Sequence, residues 1–253
     1  MGYRVTDMFV NAPGNCGHII PDYSRDKAAE ARARFPALPH SAEAAARQFV
    51  MRLWNVGSAD RGKAEKFIAG SFKKEFSASV VVDYPLLLGL IDRRGHIVAA
   101  VGLRQAKDET LFLEQYLSHP VEFAASRFAA RDIERKSIVE LGSFASNSNT
   151  ASFLLIGAAA AYLMRHGLEF GLVTATEKMC RLFKLCNFDT QILCPARKDA
   201  LRGSRTDWGT YYDCAPQVVI GSVRQCLGAI MRSTTARRTR LVSIFSQIEA
   251  LDE

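Results

Sequence analysis

The sequence contains little that would mark a secreted, metal-binding or membrane-spanning protein. Its six cysteines form no CxxC pair, and no histidines follow them at zinc-ligand spacing. A membrane-spanning helix needs about 20 consecutive apolar residues, and the longest apolar run, Phe153 to Met164, is shorter and includes Gly157. The first residues, MGYRVTD, do not resemble a secretory signal. We therefore expect a cytoplasmic protein with reduced cysteines, no metal site and no transmembrane segment.

Charge is distributed unevenly along the chain. The formal net charge is +7, and the stretch from Arg197 to Arg240 carries nine basic residues against three acidic ones. A one-sided basic region suggests an acidic partner, which could be an anionic membrane, an acidic carrier protein or nucleic acid, whereas a solvated basic face is the plainer explanation. Nucleic acid is the least favoured of these, because few aromatic residues are interleaved with the basic ones.

Length and composition allow one large domain with extensions. The chain has 253 residues, of which 48% are hydrophobic, enough for a full core. We expect an N-terminal extension at residues 1–48, a main domain at residues 49–230, and a basic amphipathic tail at residues 231–253. The tail places apolar residues at helical spacing, which suggests docking to a partner or to a second copy in a homodimer.

Hydrophobic periodicity predicts an α/β domain with a mixed central sheet flanked by helices. A strand and an amphipathic helix come first, followed by a hairpin whose turn is Asp92-Arg93-Arg94-Gly95. The segment Leu111 to Leu117 alternates like an edge strand, and a helical stretch follows it. The remaining predicted elements are the strand at 138–146, a helix at 153–166, a strand at 170–176, a further helix, and a strand at 191–194.

One ionisable residue, Glu140, lies inside the otherwise apolar strand at 138–146. A charge buried without a partner is costly, so such a group is usually ion-paired, protonated or part of a functional site. The residues after the strand, Asn147 to Thr150, can cap the next helix, whose N-terminus would suit a phosphate. No GxGxxG or GK[ST] motif is present, so nucleotide hydrolysis is not expected. A phosphopantetheine carrier fits these features.

The order of elements resembles the GCN5-related N-acyltransferase (GNAT) fold, in which the fourth strand and the following helix hold a pantetheine thioester. Within that fold, residues 97–104 and 139–145 resemble acyl-homoserine-lactone (autoinducer) synthases. Four segments, which keep their order along the chain, are more similar still to the thermostable hemolysin family, over roughly residues 60 to 225. They are residues 102–106, 111–117, 173–176 and 208–213. The resemblance implies a single GNAT-like domain that moves an acyl group from a carrier-protein or CoA thioester to an amine.

The residue patterns and the resemblance together indicate roles for particular residues. Glu140 is the candidate base, or else a structural partner of Arg104, and Arg104 could instead hold a substrate carboxylate. Trp54, a large aromatic near a polar turn, and Glu114 and Tyr116, which alternate with apolar neighbours, are candidate substrate-binding residues. Further candidates for substrate binding are Ser143, Phe144, Thr174 and Thr176. Candidate phosphopantetheine-binding residues are Ala145, Ser146, Asn149 and Thr150. The thioester would be a co-substrate, with no permanently bound cofactor, and the acceptor amine could be an amino acid or S-adenosylmethionine.

Two departures from the family patterns limit these implications. The loop after the Glu140 strand has no glycine, which disfavours close approach to a CoA pyrophosphate and favours acyl carrier protein as the donor. Ser143 stands where autoinducer synthases tend to have arginine, so the acceptor need not be S-adenosylmethionine. A competing hypothesis is that the fold has lost catalysis and that the basic region binds anionic membranes or another acidic partner.

Overall fold

A single mixed seven-stranded sheet organises the protein. The computed structural model describes residues 49–107, 109–202, 206–232 and 244. The predicted N-terminal extension and nearly all of the predicted C-terminal tail lie outside these residues. Along the sheet the strand order is β1-β2-β3-β4-β5-β7-β6. The strands are β1 (Phe49–Asn55), β2 (Leu86–Asp92), β3 (Ile97–Gln105), β4 (Ile138–Ser146), β5 (Phe170–Ala175), β6 (Thr190–Pro195) and β7 (Gln217–Ser222).

Helices cover both faces of this sheet. Within the described residues the α-helices are α1 (Arg61–Phe76), α2 (Val121–Ala129), α3 (Asn149–Arg165), α4 (Glu177–Leu185) and α5 (Val223–Met231). Helix α3 packs with α5 on one face, over a core that includes Leu155, Ala158 and Val219. Helix α1 and helix α2 cover the other face, over two smaller clusters centred on Ile68 and Leu113. None of the described helices is long and apolar enough to cross a membrane.

The first four strands form an antiparallel meander. The predicted hairpin is confirmed: β2 and β3 pair in antiparallel register through a turn at residues 92–96. The Asp92 carboxylate accepts hydrogen bonds from the backbone N–H groups of Arg94 and His96, and Gly95 supplies a positive φ of 82°. On its other side β3 pairs with β4, and in that register Arg104 near the end of β3 lies opposite Glu140.

The crossover from β4 through α3 to β5 creates an opening in the sheet. The strands pair in parallel only from Ile138 to Leu141 of β4, against residues 170–173 of β5. Beyond that point β4 bulges, so that Val101 of β3 faces the two residues Ser143 and Phe144, and Ser143 has a φ of 51°. The two parallel strands therefore separate as they approach α3, and a wedge-shaped gap lies between them.

Several parts of the fold differ from the sequence prediction. Residues Phe112–Tyr116 form a 3₁₀ helix where we predicted an extended edge strand. Strand β7, which the sequence reading did not include, inserts between β5 and β6 in antiparallel pairing with both. Helix α3 begins at Asn149, four residues before its predicted start, because Ser148 caps it by accepting a hydrogen bond from the Ala151 N–H.

Candidate active site

The gap between β4 and β5 opens into a cleft of about 660 Å³. Its walls come from β4 and β5, the C-terminal part of α1, the loop before β2, and the aromatic segment at 208–212. Most of the candidate site residues line it; they are Arg104, Tyr116, Glu140, Ser143, Phe144, Ala145, Ser146, Asn149, Thr174 and Thr176. Residues that are distant in the sequence are thus brought to one place by the separation of two strands.

Glu140 lies at the base of this cleft, with only 2% of its surface exposed. Its Oε2 accepts a hydrogen bond from the Phe112 N–H at 2.8 Å, and its Oε1 accepts one from the Leu113 N–H at 3.2 Å. The carboxylate therefore caps the N-terminus of the 3₁₀ helix. A third and longer contact joins Oε1 to the Tyr84 hydroxyl at 3.4 Å.

These surroundings adjust the acidity of Glu140. Burial raises its pKa to about 7, and this effect outweighs the two backbone hydrogen bonds, the Arg104 charge and the Tyr84 hydroxyl, all of which favour the ionised form. A carboxyl group with a pKa near neutrality exchanges its proton readily under ordinary conditions. It can therefore serve as a general base for a reacting ammonium.

Arg104 does not form the predicted ion pair with Glu140. Its Nε lies 3.2 Å from Glu109 Oε1, and its Nη2 lies 3.5 Å from Asp83 Oδ2 and also donates to the Asp83 carbonyl. The guanidinium stacks over the Tyr84 ring, 5.2 Å from the ring centroid. Tyr84 is thus in contact with both Arg104 and Glu140, which are opposite each other in the sheet but form no direct ion pair.

Tyr84 is the site residue that the sequence analysis missed. Its ring lies across β3 and β4 where each strand has a glycine: a Cβ at Gly102 would come within 2.3 Å of the ring, and one at Gly142 within 1.8 Å of the hydroxyl. Buried Arg61 donates to the Tyr84 carbonyl at 2.6 Å and holds the loop in place. Burial raises the pKa of Tyr84 well above its ordinary value, so the hydroxyl stays protonated and donates to Glu140.

An aromatic wall faces Glu140 across the cleft. Trp208, Tyr211 and Tyr212 pack against one another, with ring centroids between 5.4 and 5.9 Å apart, and Phe112 packs on Trp208 at 5.8 Å. The hydroxyls of Tyr116 and Tyr212 are hydrogen-bonded to each other. Three buried polar atoms in the cleft lining, the Trp208 indole Nε1, the Thr174 hydroxyl and Arg104 Nε, have no hydrogen-bond partner within the described part of the chain.

A smaller apolar pocket adjoins the cleft on the opposite face of the sheet. This pocket has a volume of about 100 Å³ and is bounded by β4, β5, α3 and α4. Leu141, Phe144, Val173 and Met179 line both spaces. A ligand that reaches Glu140 from the polar side can therefore place an apolar chain between the strands and against Ala160 of α3.

A group of hydroxyls surrounds the N-terminus of α3 at one end of the cleft. The side chains of Ser146 and Ser152 are hydrogen-bonded to each other, and both hydroxyl oxygens lie 3.1 Å from the Ser148 carbonyl, which accepts from one of them. Asn149 lines the cleft beside them. These hydroxyls and the first-turn N–H groups are the groups here that could hold a phosphate. No cluster of three or more metal-ligating side chains occurs among the described residues.

Three candidate residues lie outside the cleft lining. Trp54 is 1% exposed and packs against Gly89 in the core beneath α1, so we correct its predicted substrate contact. Glu114 accepts from the N–H groups of Leu111 and Val121 and pairs with Arg135; it supports the 3₁₀ helix and does not reach the cleft mouth. Thr150, in the first turn of α3, is also absent from the cleft lining.

Several solved structures are similar to this chain. FeeM, an N-acyl amino acid synthase from uncultured soil microbes, superposes with a TM-score of 0.51 at 14% identity, over 70% of this chain and 92% of FeeM. The apo form of TofI gives 0.50 at 15% identity, over 71% and 94% of the two chains. The acyl-homoserine lactone synthase LasI gives 0.49 at 13% identity, over 69% and 90%.

FeeM and TofI establish the predicted GNAT-like fold, and at these identities they establish the fold alone. A comparison with curated protein sequences finds no match. The family comparison is more direct, because residues 54–227 match the family described as thermostable hemolysin. This range covers more than half of the sequence, including both walls of the cleft, and the chain therefore belongs to the thermostable hemolysin family.

Proposed function

We propose that this protein is an N-acyltransferase that moves an acyl group from a phosphopantetheine thioester to an amine. The observation that carries the proposal is the position of Glu140. A buried carboxyl group with a pKa of about 7 lies in the polar cleft near the point where two parallel strands separate, and the next residue, Leu141, lines both the cleft and the apolar pocket. This arrangement offers a base beside a space for the acceptor and a separate space for an acyl chain.

The proposed reaction replaces a C–S bond with a C–N bond. Glu140 takes a proton from the acceptor ammonium, directly or through water, and the freed amine attacks the thioester carbon. The C–S bond then breaks and the nitrogen loses a second proton, which leaves with the released thiol. The proton held by Glu140 returns to water, so the net products are an amide, a thiol and one proton.

The bulge in β4 supports the placement of the thioester. It takes Ser143 and Phe144 out of regular pairing with β3, at the mouth of the apolar pocket. Backbone groups released in this way can hydrogen-bond the thioester carbonyl as negative charge develops on its oxygen. The acyl chain would then pass Phe144 and Val173 into the apolar pocket, while the pantetheine arm would extend towards Asn149.

We favour acyl carrier protein over CoA as the donor. The cradle at the start of α3 consists of serine hydroxyls and first-turn amides, without a glycine loop that would let the backbone approach a pyrophosphate. A carrier-bound phosphopantetheine has a single phosphate, which needs fewer donors. A basic surface would also attract an acidic carrier protein, and described members of the basic region include Arg202, Arg224 and Arg232.

The test is amine-dependent thiol release from matched thioesters. Purified protein is mixed with an acyl carrier protein or CoA bearing the same acyl group, with and without a set of primary amines, and free thiol is measured. We expect release only when both protein and amine are present, and a higher kcat/KM for the carrier protein. If no thioester turns over while the protein binds anionic vesicles with a steep dependence on salt, the hypothesis of a non-catalytic membrane-binding protein is correct.

A further inference from the structure

The part of the cleft around Glu140 and Arg104, where the acceptor amine of the proposed reaction would bind, has an excess of acidic groups in and beside it. Arg104, with 12% of its side chain exposed, is shared by two acids, Asp83 and Glu109, and Glu140 lies opposite it in the sheet. When Glu140 is ionised, this cluster contains three negative charges and one positive charge.

The guanidinium of Arg104 is poorly placed to receive a ligand carboxylate. Two of its three nitrogens lie beside acids: Nε is 3.2 Å from Glu109 Oε1 without making a hydrogen bond, and Nη2 donates to the Asp83 carbonyl. A bidentate contact with a carboxylate requires two adjacent N–H groups directed at the ligand. A carboxylate at the Nε–Nη2 edge would therefore lie beside Asp83 and Glu109, and near Glu140 as well when Glu140 is ionised.

The other charged residues in the cleft lining do not reverse this balance. Lys178 pairs with Glu75 at 3.1 Å between α4 and α1, and this pair is neutral overall. Arg202 also lines the cleft, and because it is exposed, water and salt screen its charge, as they screen that of Asp83, whose side chain is 90% exposed. Neither basic residue contacts Glu140 or Arg104 in the described structure.

The uncharged part of the same end is aromatic. Tyr84 lies beside Glu140, and Phe112, Trp208 and Tyr212 form the facing wall. Aromatic faces attract ammonium groups, most strongly where water is excluded, and they also pack well on apolar or aromatic bodies. Negative charge and aromatic surface together therefore select for a cationic amine.

From this arrangement, and resting on the acyl transfer proposed above, we infer that the acceptor is a primary amine without a carboxylate, such as an arylalkylamine or a diamine. An α-amino acid would be a poorer acceptor. The transfer step is the one given above: the ammonium loses one proton to Glu140, the N–C bond forms, the C–S bond breaks, and the second N–H proton leaves with the thiol. No oxidant or further reactant is needed.

The experiment compares acceptors that differ only by a carboxylate. Thiol release from one acyl thioester is measured with tyramine and tyrosine, phenethylamine and phenylalanine, and cadaverine and lysine. We expect the decarboxylated member of at least one pair to have a kcat/KM at least about tenfold higher, which corresponds to about 1.4 kcal/mol. A preference for the amino acid in every active pair would overturn the inference while leaving acyl transfer intact. Absence of thiol release with all six acceptors would instead overturn the proposed function.

A substitution links the preference to the acidic cluster. Asp83→Asn removes one acid and frees part of the Arg104 guanidinium, so the ratio of amine to amino-acid kcat/KM should fall by at least about threefold. The matched control is Asp60→Asn, because Asp60 pairs with Arg52 on the edge strand β1 and does not line the cleft. The control should keep the wild-type ratio, and an unchanged ratio in Asp83→Asn would contradict the role given to the cluster.

Discussion

Arg104 and Glu140 are opposite each other in adjacent strands, yet each interacts with different groups. Arg104 pairs with Asp83 and Glu109, whereas Glu140 caps the 3₁₀ helix through the N–H groups of Phe112 and Leu113. The carboxylate is consequently buried without a direct ion pair. This separation explains why the pKa of Glu140 lies near neutrality although an arginine is its neighbour in the sheet.

The first prediction concerns pH. Because burial raises the pKa of Glu140 to about 7, the fraction of ionised base increases as the pH rises through that value. Acyl transfer should therefore become faster by about tenfold per pH unit below 7 and level off above it. Steady-state kcat/KM measured from pH 5 to 9 provides the check. A rate that does not change between pH 5.5 and 7.5 would contradict the assignment.

The same raised pKa affects stability in the opposite direction to activity: activity should rise with pH, whereas the contribution of Glu140 to stability should fall. The folded protein holds the Glu140 proton more tightly than the unfolded chain, whose carboxyl group has an ordinary pKa of 4.5. Between pH 4.5 and 7 the folded state therefore binds more protons, and the contribution of this group to the free energy of unfolding falls as the pH rises. Denaturant titrations at several pH values between 4.5 and 7 provide the check. The free energy of unfolding should fall more steeply with rising pH in the wild type than in Glu140→Gln.

The second prediction concerns Tyr84→Phe. The hydroxyl donates to Glu140 and favours its ionised form, so removing it should raise the pKa of the carboxyl group further. The midpoint of the pH–rate profile should move upward by about 0.5 to 1 pH unit, since the lost hydrogen bond is long. At pH 9 the variant should regain most of the wild-type rate. A variant with an unmoved midpoint would show that Tyr84 acts only through packing.

The third prediction concerns the apolar pocket. Ala160 of α3 is 4% exposed and faces the pocket of about 100 Å³. Ala160→Leu should fill part of that space and lower the kcat/KM for a decanoyl thioester relative to a butanoyl one by at least about tenfold. The overpacking should also cost about 1–3 kcal/mol of unfolding free energy.

The control for the pocket is Ala161→Leu on the same helix. Ala161 is buried as well, with 6% exposure, but it does not line the pocket. The Ala161→Leu variant should lose a similar amount of unfolding free energy and keep the wild-type preference for acyl chain length. The same change of preference in both variants would indicate that the acyl chain does not occupy this pocket.

Hydrophobic patterning in the sequence was sufficient to predict most strands of the central sheet. The hairpin from β2 to β3 has a clear turn signal, and β4 stands out as an apolar strand with one carboxylate. Strand β7 was missed although Val218-Val219-Ile220 is a run of β-branched residues, whereas its position between β5 and β6 is a long-range feature that local periodicity does not encode. The segment at 112–116 alternates like a strand, but Glu140 and Glu114 accept its free N–H groups and stabilise a 3₁₀ helix instead.

The site was harder to predict than the sheet. Glu140 was recognisable as an isolated charge in an apolar strand, whereas Tyr84 lies in a loop with no local signal. A pairwise signal did exist: Gly102 and Gly142 are direct partners in the sheet, and two opposed glycines leave room for a ring. Finding that signal required the register between β3 and β4. Trp54 illustrates the opposite error, since a large aromatic near a polar turn is a core residue here.

The most direct test of the account is Glu140→Gln, compared with Glu114→Gln. Both carboxylates cap the same 3₁₀ helix, but only Glu140 lines the cleft, so the pair separates chemistry from folding. The measurement is amide formation from an acyl thioester and an amine, quantified by mass spectrometry, with both variants shown to be folded by circular dichroism. We predict a loss of about 10²- to 10⁴-fold in kcat/KM for Glu140→Gln and a value within about threefold of wild type for Glu114→Gln. A folded Glu140→Gln variant that forms amide at the wild-type rate would contradict the proposed role of Glu140.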